Sequence, residues 1–348
     1  MPRGPLVQQE GTGTMPDPPR IVTVSRPVLR PMFDAMELLL EAGGFHIAPY
    51  RSPEAFFADP SALAEADILL AAGNLSCTRA LMSGAPRLRA VISPFIGTEG
   101  FDESAATDLG IVIANGQTPE NAESMAEATI LLMLAALYDL HGSEAVLRGT
   151  IPRPAASRAF MLRGKTIGMI GHGHIARAMT ARLAGWDVRL LAWSRRRDVS
   201  ISAVTWVDLD ELLRGSDVVC VLLSLNAGTR GLLDAARLRQ MKSDVVLVNT
   251  ARGGIIDEAA LVDLARERPE MRIALDTFAI EPLPEDSALR DLPNTILTPH
   301  MVGHTVESHA VLPGVAVDAI VRIMAGEPPL HVRNPAVIPA WRNRWRGQ

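Results

Sequence analysis

Three segments in the second half of the chain carry polar side chains suited to chemistry. They are Asn249-Thr250-Ala251-Arg252-Gly253-Gly254, the run 276–284, and Thr298-Pro299-His300. Each follows a short apolar run, and open α/β sheets bind ligands at the carboxyl ends of their strands. An arginine can grip a carboxylate through two hydrogen bonds, and a histidine beside a glutamate can serve as acid or base. Arg252, Glu281 and His300 are therefore the candidate catalytic residues.

A glycine-rich turn precedes these segments. Gly171, Gly173 and Ala176 form the pattern G-x-G-x-x-A, directly after an apolar run at 166–170 and before a helical pattern from about Ile175. In this context the first glycine permits a tight turn, the second lets a pyrophosphate approach the backbone, and the small third residue lets helix pack on strand. The helix N-terminus presents free N–H groups to the phosphates. The pattern predicts a dinucleotide site, and a tight turn without a ligand is the alternative.

The residues after the next strand bear on the choice of dinucleotide. NAD-binding turns of this kind carry an acidic residue about twenty positions on, which binds the ribose 2′-hydroxyl. Here that place, twenty-three positions after Gly171, is Ser194, and Arg195, Arg196 and Arg197 follow it. The missing carboxylate removes repulsion of a 2′-phosphate, and a guanidinium can bond to that group. NADP(H) is favoured, with NAD(H) or a solvated basic loop as alternatives.

Short β-branched runs alternate with helical patterns along most of the chain. The first series of predicted strands is 21–24, 45–48, 67–71, 90–93 and 111–114. The second series is 166–170, 188–192, 217–221, 245–249, 272–275 and 295–297. Such alternation predicts an α/β fold with two doubly wound parallel sheets covered by helices.

Other segments connect or follow these two series. A long helix is predicted from Thr118-Pro119-Glu120, where Thr can cap and Pro suits the first turn, to about Asp139. An Arg-, Pro- and Ala-rich stretch at 148–163 predicts a linker. After His300 a helical pattern is interrupted at Pro313 and ended by Gly326. Residues 1–20 are rich in Pro, Gly and Thr without an apolar period, which predicts a flexible leader.

Composition narrows the class of protein. The 348 residues, 48% of them hydrophobic, suffice for two domains. The net charge of −5 contains no long run of like charges, which argues against a nucleic-acid partner. The longest apolar run, 130–137, is too short to span a bilayer, so we expect a cytoplasmic enzyme without membrane contact. Cys77 and Cys220 lack metal-ligand spacing, and no metal site is predicted.

At these residues the chain resembles the D-isomer-specific 2-hydroxyacid dehydrogenase family, which includes glyoxylate/hydroxypyruvate reductases, phosphoglycerate dehydrogenase and formate dehydrogenase. Further matching runs are Ile96-Gly97-Thr98-Glu99, Gly110-Ile111-Val112 and Asn121-Ala122-Glu123-Ser124-Met125-Ala126-Glu127. The resemblance implies a flavodoxin-like substrate domain over 21–117 and 303–348, and an inserted Rossmann dinucleotide-binding domain over 118–302. It also implies a homodimer whose interface includes the helix at 123–137.

The resemblance assigns roles to individual residues. Arg252 would hold the substrate carboxylate and polarise the carbonyl, His300 would be the general acid, and Glu281 would orient its ring. The implied cofactor contacts are Gly171, Gly173, His174, Ile175, Ser194, Arg195, Arg196, Thr229, Thr250, Ala251, Asp276 and Gly303. The implied substrate contacts are Gly73, Asn74, Gly97 and Thr98, together with Arg252 and His300.

Two departures from the family pattern bear on the cofactor and the substrate. Ser194 replaces the acidic residue of the NAD-using members. Ala72-Gly73-Asn74 stands where the phosphoglycerate branch has an Arg-Ser-Arg loop, which argues against a phosphorylated substrate. The sequence therefore favours an NADPH-using reductase of small 2-keto acids of the glyoxylate/hydroxypyruvate type. The alternative is a non-enzymatic, dinucleotide-sensing scaffold resembling the corepressor branch, and His304 is either a pocket or a surface group.

Overall fold

A computed structural model describes residues 18–345. These residues form two compact units, one of 18–117 with 312–345 and one of 118–311. Residues 303–311 thus group with the second unit, whereas the sequence placed them with the first. The physical reason is a tertiary contact, because the Gly303 carbonyl accepts hydrogen bonds from Ser124 Oγ at 2.8 Å and Ser308 Oγ at 3.3 Å, all within the second unit. Of the expected leader, 1–17 lie outside the described residues and Arg20 already belongs to a strand.

The regular elements are numbered in chain order. The strands are β1 (Arg20–Val24), β2 (His46–Tyr50), β3 (Ile68–Ala71), β4 (Ala90–Ser93), β5 (Val112–Asn115), β6 (Thr166–Ile170), β7 (Arg189–Trp193), β8 (Thr205–Trp206), β9 (Val218–Val221), β10 (Val246–Asn249), β11 (Arg272–Leu275) and β12 (Thr295–Leu297). The α-helices are α1 (Arg30–Ala42), α2 (Pro53–Phe57), α3 (Arg79–Ser83), α4 (Glu103–Asp108), α5 (Pro119–Leu137), α6 (Leu140–Leu147), α7 (His174–Arg182), α8 (Leu209–Gly215), α9 (Ala235–Gln240), α10 (Glu258–Glu267), α11 (Val306–Ala310), α12 (Leu312–Met324) and α13 (Ile338–Trp345).

The first unit is built on a parallel sheet of five strands. Their order is β2-β1-β3-β4-β5, which is the flavodoxin-like order. Strands β3, β4 and β5 are buried throughout, as expected where helices cover both faces. Helices α1, α12 and α13 contribute to one core cluster with these strands. The order in which successive strands are added reverses between β1 and β3, so a ligand is expected at the carboxyl ends of those strands.

The second unit is built on a parallel sheet of seven strands. Their order is β12-β11-β10-β9-β6-β7-β8. Helix α5 begins as the sequence predicts, because Thr118 Oγ1 accepts the backbone N–H of Asn121 and Pro119 stands in the first turn. The order reverses between β6 and β9, which is where a Rossmann sheet binds its dinucleotide. The predicted fold class, two doubly wound α/β domains, is confirmed.

Several elements differ from those predicted. Helix α5 ends at Leu137 and a separate helix, α6, follows it, while the short strand β8 and helix α13 were not predicted. The helical segment after His300 is interrupted before Leu312, between α11 and α12, and not at Pro313. Pro313 lies in the first turn of α12, where a proline is tolerated. The stretch 148–163 contains no strand or α-helix, in keeping with a linker.

Two further observations concern the helices and the cysteines. Among residues 18–345 no single helix is long and apolar enough to cross a membrane, and only α5 and α6 together, which meet at 56°, have the required length and composition.

Cys77 and Cys220 are both buried and unpaired, and burial raises the pKa of each thiol to about 12. Neither cysteine therefore presents a thiolate at neutral pH.

Helix α13 gives a test of the first unit's core. Trp341 is fully buried, and its Nε1 donates to the Arg89 carbonyl at 3.1 Å. We expect Trp341→Ala to lower the free energy of unfolding by about 3–5 kcal/mol, the usual cost of truncating a buried aromatic residue. The exposed neighbour serves as control, since Arg342→Ala should change it by less than about 0.5 kcal/mol. Urea unfolding followed by far-UV circular dichroism measures both, and equal midpoints would contradict the packing of α13.

Candidate active site

The glycine-rich turn follows β6 directly. Gly171 has φ +100°, and a Cβ built there would lie 2.7 Å from the Leu222 carbonyl oxygen. Its N–H donates to the Trp193 carbonyl at 2.8 Å, which joins the turn to the end of β7. A side chain is excluded both by the positive φ and by the close approach of the backbone after β9. A glycine is therefore required at position 171, where the strand order of the sheet reverses between β6 and β9.

The next part of the turn leaves room for a ligand. Gly173 caps α7, and a Cβ built there would meet no atom within 4 Å. The backbone N–H groups in the first turn of α7, beginning with His174 and Ile175, have no hydrogen-bond acceptor within α7 itself. Ala176 is fully buried, as the small third residue of the pattern should be. An open glycine before free helix N–H groups fits a pyrophosphate.

His172, within the same turn, was not singled out from the sequence. Its side chain is buried, with Nε2 3.4 Å from Thr180 Oγ1 and its ring edge-on to Trp206. Burial lowers the pKa of His172, and the charge of Arg177 lowers it further. A neutral imidazole packed in this way is a structural part of the turn. No local pattern could have indicated this, because its partners come from α7 and β8.

The end of β7 carries the predicted ribose contacts. Ser194 is partly buried, and Arg195 and Arg196 are exposed without an ion pair in the described part of the chain. Arg197 pairs with Asp208 at 2.8 Å. The nearest following acid, Asp198, pairs with Arg177 at 3.1 Å and accepts Ser200 Oγ at 2.6 Å. The loop therefore offers a hydroxyl and two guanidinium groups, while its own carboxylate is already occupied.

Three loops with the catalytic candidates leave the carboxyl ends of β10, β11 and β12. These strands are parallel neighbours, with Asn249 in register with Leu275 and Leu275 with Leu297. The residues that follow, Thr250, Asp276 and Thr298, therefore start at one level along the sheet edge. The sequence segments identified from their polar side chains are brought together by this pairing.

The Arg252 loop is held by a buried asparagine that the sequence analysis did not select. Asn249 Oδ1 accepts the Ala251 N–H at 3.0 Å, and its Nδ2 donates to the Arg252 carbonyl at 3.1 Å. Thr250 Oγ1 lies 2.8 Å from Thr129 Oγ1 on α5, so its hydroxyl is also engaged. Gly253 packs so closely that a Cβ would lie 1.9 Å from the Phe278 carbonyl carbon. The arginine loop and the next loop are therefore in backbone contact.

The two side chains predicted to act as an acid–base pair, His300 and Glu281, lie in hydrogen-bond contact. His300 Nδ1 lies 2.7 Å from Glu281 Oε2, with both side chains a little over one-third exposed. The other oxygen, Glu281 Oε1, accepts the Phe278 N–H at 3.0 Å. Burial tends to raise the pKa of Glu281, but the bonds from His300 and Phe278 and the charge of Arg252 lower it below its usual value. Glu281 is therefore ionised at neutral pH and accepts the Nδ1 proton, which leaves Nε2 of His300 for a substrate.

Asp276 orders the loop that carries His300. Its Oδ1 accepts Thr298 Oγ1 at 2.7 Å, the Met301 N–H at 3.0 Å and the Val302 N–H at 3.2 Å. Asp276 is almost fully buried, and three donors on one oxygen fix the loop on both sides of His300, whose φ is +56°. This role is additional to the cofactor contact predicted for Asp276.

The predicted substrate contacts lie in the first unit, at the ends of β3 and β4. A Cβ on Gly73 would lie 1.7 Å from the Gly97 carbonyl oxygen, and the Gly100 N–H donates to the Gly73 carbonyl at 2.7 Å. The backbone N–H groups of Gly97 and Thr98 have no acceptor among residues 18–345. Two loops in backbone contact with unused N–H groups suit a carboxylate.

Some residues predicted to contact the cofactor already bond to or pack against other parts of the protein. Thr229 Oγ1 donates to the Ser224 carbonyl and accepts the Asn226 N–H, each at 2.8 Å, so the hydroxyl shapes its own loop. Gly303 packs against Met125, where a Cβ would overlap the sulfur. The His304 ring packs against that of His309, with centroids 4.7 Å apart and the ring planes tilted by 49°. The cofactor contacts of Thr229 and Gly303 stay predictions, as do those of the other residues named from the sequence. No group of three metal-ligating side chains exists within the described residues.

Comparison with known proteins identifies the family. A family model described as the D-isomer specific 2-hydroxyacid dehydrogenase, NAD binding domain, matches residues 130–302. A glyoxylate reductase from Thermofilum pendens is 33% identical over 267 residues, which cover 74% of this chain and 78% of that protein. A D-3-phosphoglycerate dehydrogenase from Mycobacterium leprae is 32% identical over 270 residues, 77% of this chain and 51% of that protein, so the chain spans about half its length.

Solved structures agree with this assignment. The crystal structure of an NADPH-dependent glyoxylate/hydroxypyruvate reductase from Sinorhizobium meliloti, in complex with NADP and malonate, matches with a TM-score of 0.79 and 26% identity. The match covers 92% of this chain and 98% of that one. The chain therefore belongs to the D-isomer-specific 2-hydroxyacid dehydrogenase family, and its second unit contains the NAD-binding domain of that family.

Proposed function

We propose that the protein reduces small 2-keto acids to D-2-hydroxy acids with NADPH. The observation that carries the proposal is the 2.7 Å bond between His300 and an ionised Glu281, on the sheet that also bears the dinucleotide turn. Arg252, whose charge acts on Glu281, supplies a guanidinium beside this pair. An anion-binding group next to an oriented proton donor is what reduction of a 2-keto acid requires.

The mechanism assigns one task to each side chain. Arg252 binds the substrate carboxylate, and its charge draws electron density towards the carbonyl oxygen. A reduced nicotinamide dinucleotide, held at the turn of Gly171 and Gly173, would supply the hydride for the new C–H bond at the keto carbon. His300 gives the Nε2 proton to the oxygen as the carbonyl π-bond breaks, and Glu281 holds the charged ring in place. The product is a hydroxyl group, and His300 regains its proton from solvent.

The first test removes the two groups that touch the substrate. Arg252→Ala should lower kcat/KM by at least about a thousandfold, because both binding and polarisation are lost. His300→Gln should lower kcat by about 10²–10⁴-fold, the usual contribution of a general acid. Steady-state reduction of glyoxylate and hydroxypyruvate measures both values. Arg342→Ala is the control, and near-normal turnover in either active-site variant would refute the mechanism.

The proposed preference for NADPH rests on the end of β7. Ser194 carries no charge that would repel a 2′-phosphate, and the exposed Arg195 and Arg196 are available to bind it. Asp198 cannot readily replace the missing acid, because Arg177 and Ser200 already occupy its oxygens. The arrangement favours a phosphorylated ribose over a free 2′-hydroxyl.

Exchange of these side chains should change the cofactor preference. Ser194→Asp with Arg195→Ala should raise the KM for NADPH by about 10–100-fold, since a charge-assisted bond is worth about 1.5–3 kcal/mol. The KM for NADH should fall or stay unchanged. Arg197→Ala is the matched control, because Arg197 is already paired with Asp208. A wild-type enzyme that prefers NADH would overturn the cofactor proposal while leaving the catalytic one intact.

The proposed substrate is small and unphosphorylated. The two loops at 72–77 and 94–100 contain no lysine or arginine, and Glu99 adds a negative charge. Their backbone N–H groups can bind one carboxylate, whereas a phosphate would lack a cationic partner. These features favour glyoxylate or hydroxypyruvate over phosphohydroxypyruvate.

We further propose a homodimer formed through α5, α6 and the linker. Leu131, Tyr138, Leu140, Leu147 and Met161 are each more than half exposed in this part of the second unit. A group of large apolar side chains on one region marks an interaction surface.

A charge in this surface should disrupt the dimer. We expect Leu131→Asp to yield monomers at micromolar concentration in analytical ultracentrifugation, because an unpaired charge would be buried at the interface. Leu38→Asp, at an exposed leucine of α1 in the first unit, should leave the mass unchanged. A monomeric wild-type protein would be incompatible with the proposal.

A further inference from the structure

Glu258 is a partly buried carboxylate close to the catalytic loops, and the proposed mechanism does not use it. It is the first residue of α10, six residues after Arg252. Its Oε1 accepts the backbone N–H of Ala279 at 2.5 Å. Ala279 belongs to the turn 278–281, which ends at Glu281. The side chain thus connects the start of one helix to the turn that carries the partner of His300.

The turn is held by two carboxylates on successive peptide groups. The Phe278 N–H donates to Glu281 Oε1 at 3.0 Å, and the Ala279 N–H donates to Glu258 Oε1. The first of these bonds lies within the turn and moves with it. The second comes from α10 and fixes the turn to a different part of the fold. Glu258 therefore restrains the turn in a way that Glu281 cannot.

The same peptide lies against the backbone of the Arg252 loop. A Cβ on Gly253 would lie 1.9 Å from the Phe278 carbonyl carbon and 2.3 Å from the Ala279 nitrogen. If the Glu258 bond were lost, the peptide between Phe278 and Ala279 would no longer be held through its N–H group. Since no gap separates the two loops, a shift of the turn would change both the Glu281 carboxylate and the packing beside Arg252.

The backbone position of Glu258 is fixed by the residues around it. Asp257 caps α10 by accepting the Ala260 N–H at 3.1 Å, and its own N–H donates to the Leu233 carbonyl at 3.0 Å. Ile255 and Ile256, just before it, are buried. The backbone at Glu258 is consequently set by a helix cap and by core residues. A bond from such a point is suited to position a loop.

The electrostatics of the site oppose this arrangement. Burial raises the pKa of Glu258, the bond from the Ala279 N–H partly offsets this rise, and the negative charge of Glu281 adds to it. Two carboxylates on neighbouring amides repel each other, which costs free energy unless each makes a useful bond. A carboxylate in the first turn of α10 also stabilises the helix dipole, but that effect does not require the bond to Ala279, and Asp257 already caps the helix.

We propose that Glu258 is a positioning residue, whose bond to Ala279 holds the turn 278–281 so that Glu281 keeps the His300 ring in its reactive orientation. The inference rests on the proposed function, since that function gives the orientation of His300 its significance. Glu258 touches neither substrate nor cofactor in this scheme. It acts through backbone position, and an uncharged side chain with the same acceptor should replace it.

Two substitutions separate position from charge. Glu258→Ala removes the acceptor, and we expect kcat to fall by about tenfold to a hundredfold, as small misplacements of catalytic groups do, with a smaller change in KM. Glu258→Gln keeps an amide oxygen for the Ala279 N–H, and kcat should stay within about threefold of wild type. Asp257→Asn, one residue earlier, is the matched control and should resemble wild type. Thermal unfolding of each variant excludes loss of the fold as the cause.

A readout without turnover distinguishes this proposal from the proposed function. In imidazole nitrogen NMR, with His300→Gln used for assignment, the His300 Nδ1 signal should shift in Glu258→Ala and stay in place in Glu258→Gln and Asp257→Asn. A shifted signal in a protein that reduces no 2-keto acid would support positioning and refute the proposed function. An unchanged His300 signal and normal kcat in Glu258→Ala would overturn the proposal, as would equal damage by Glu258→Gln.

Discussion

The bond between His300 and Glu281 depends on parallel pairing of the strands that precede them. Leu275 and Leu297 are in register, so the chain leaves β11 and β12 at the same level. Asp276 then collects three donors from the segment 298–302, which sets the path of the His300 loop. A slip of register would turn each side chain to the other face of the sheet and separate these groups. The arrangement of these side chains is therefore a consequence of sheet register.

Backbone contacts account for the precision of the site more than long side chains do. Gly253 meets the peptide of Phe278, Gly171 meets the carbonyl of Leu222, and Gly73 meets that of Gly97, each without room for a Cβ. Polar side chains then satisfy the remaining peptide groups, as Asn249 does for the Arg252 loop. Buried peptide groups must find partners, so each such contact also limits the conformations open to its loop.

The features that the sequence predicted are those with local causes. The dinucleotide turn, the start of α5 and most strands follow from glycines, a cap and short apolar runs near one another in the chain. Features decided by distant residues were missed or misplaced. The buried Trp341 of α13 bonds to Arg89, far away in the sequence, and 303–311 join the second unit through Ser124. Asn249 and Glu258 show their roles only once the loops they hold are in place.

The distribution of charge links the site to its ligands. In the first unit the loops at 72–77 and 94–100 contain no lysine or arginine. In the proposed function, the charge of the substrate carboxylate is assigned to Arg252 of the second unit. One guanidinium balances one carboxylate, and the paired Glu281 adds a negative charge that disfavours a second anionic group. At the end of β7 the reverse holds, because Asp198 and Asp208 are neutralised by Arg177 and Arg197 while two arginines stay available. In the proposed function, the guanidinium groups of Arg252 and of the loop after β7 would thus serve one purpose, to bind the carboxylate of a keto acid and the 2′-phosphate of the dinucleotide.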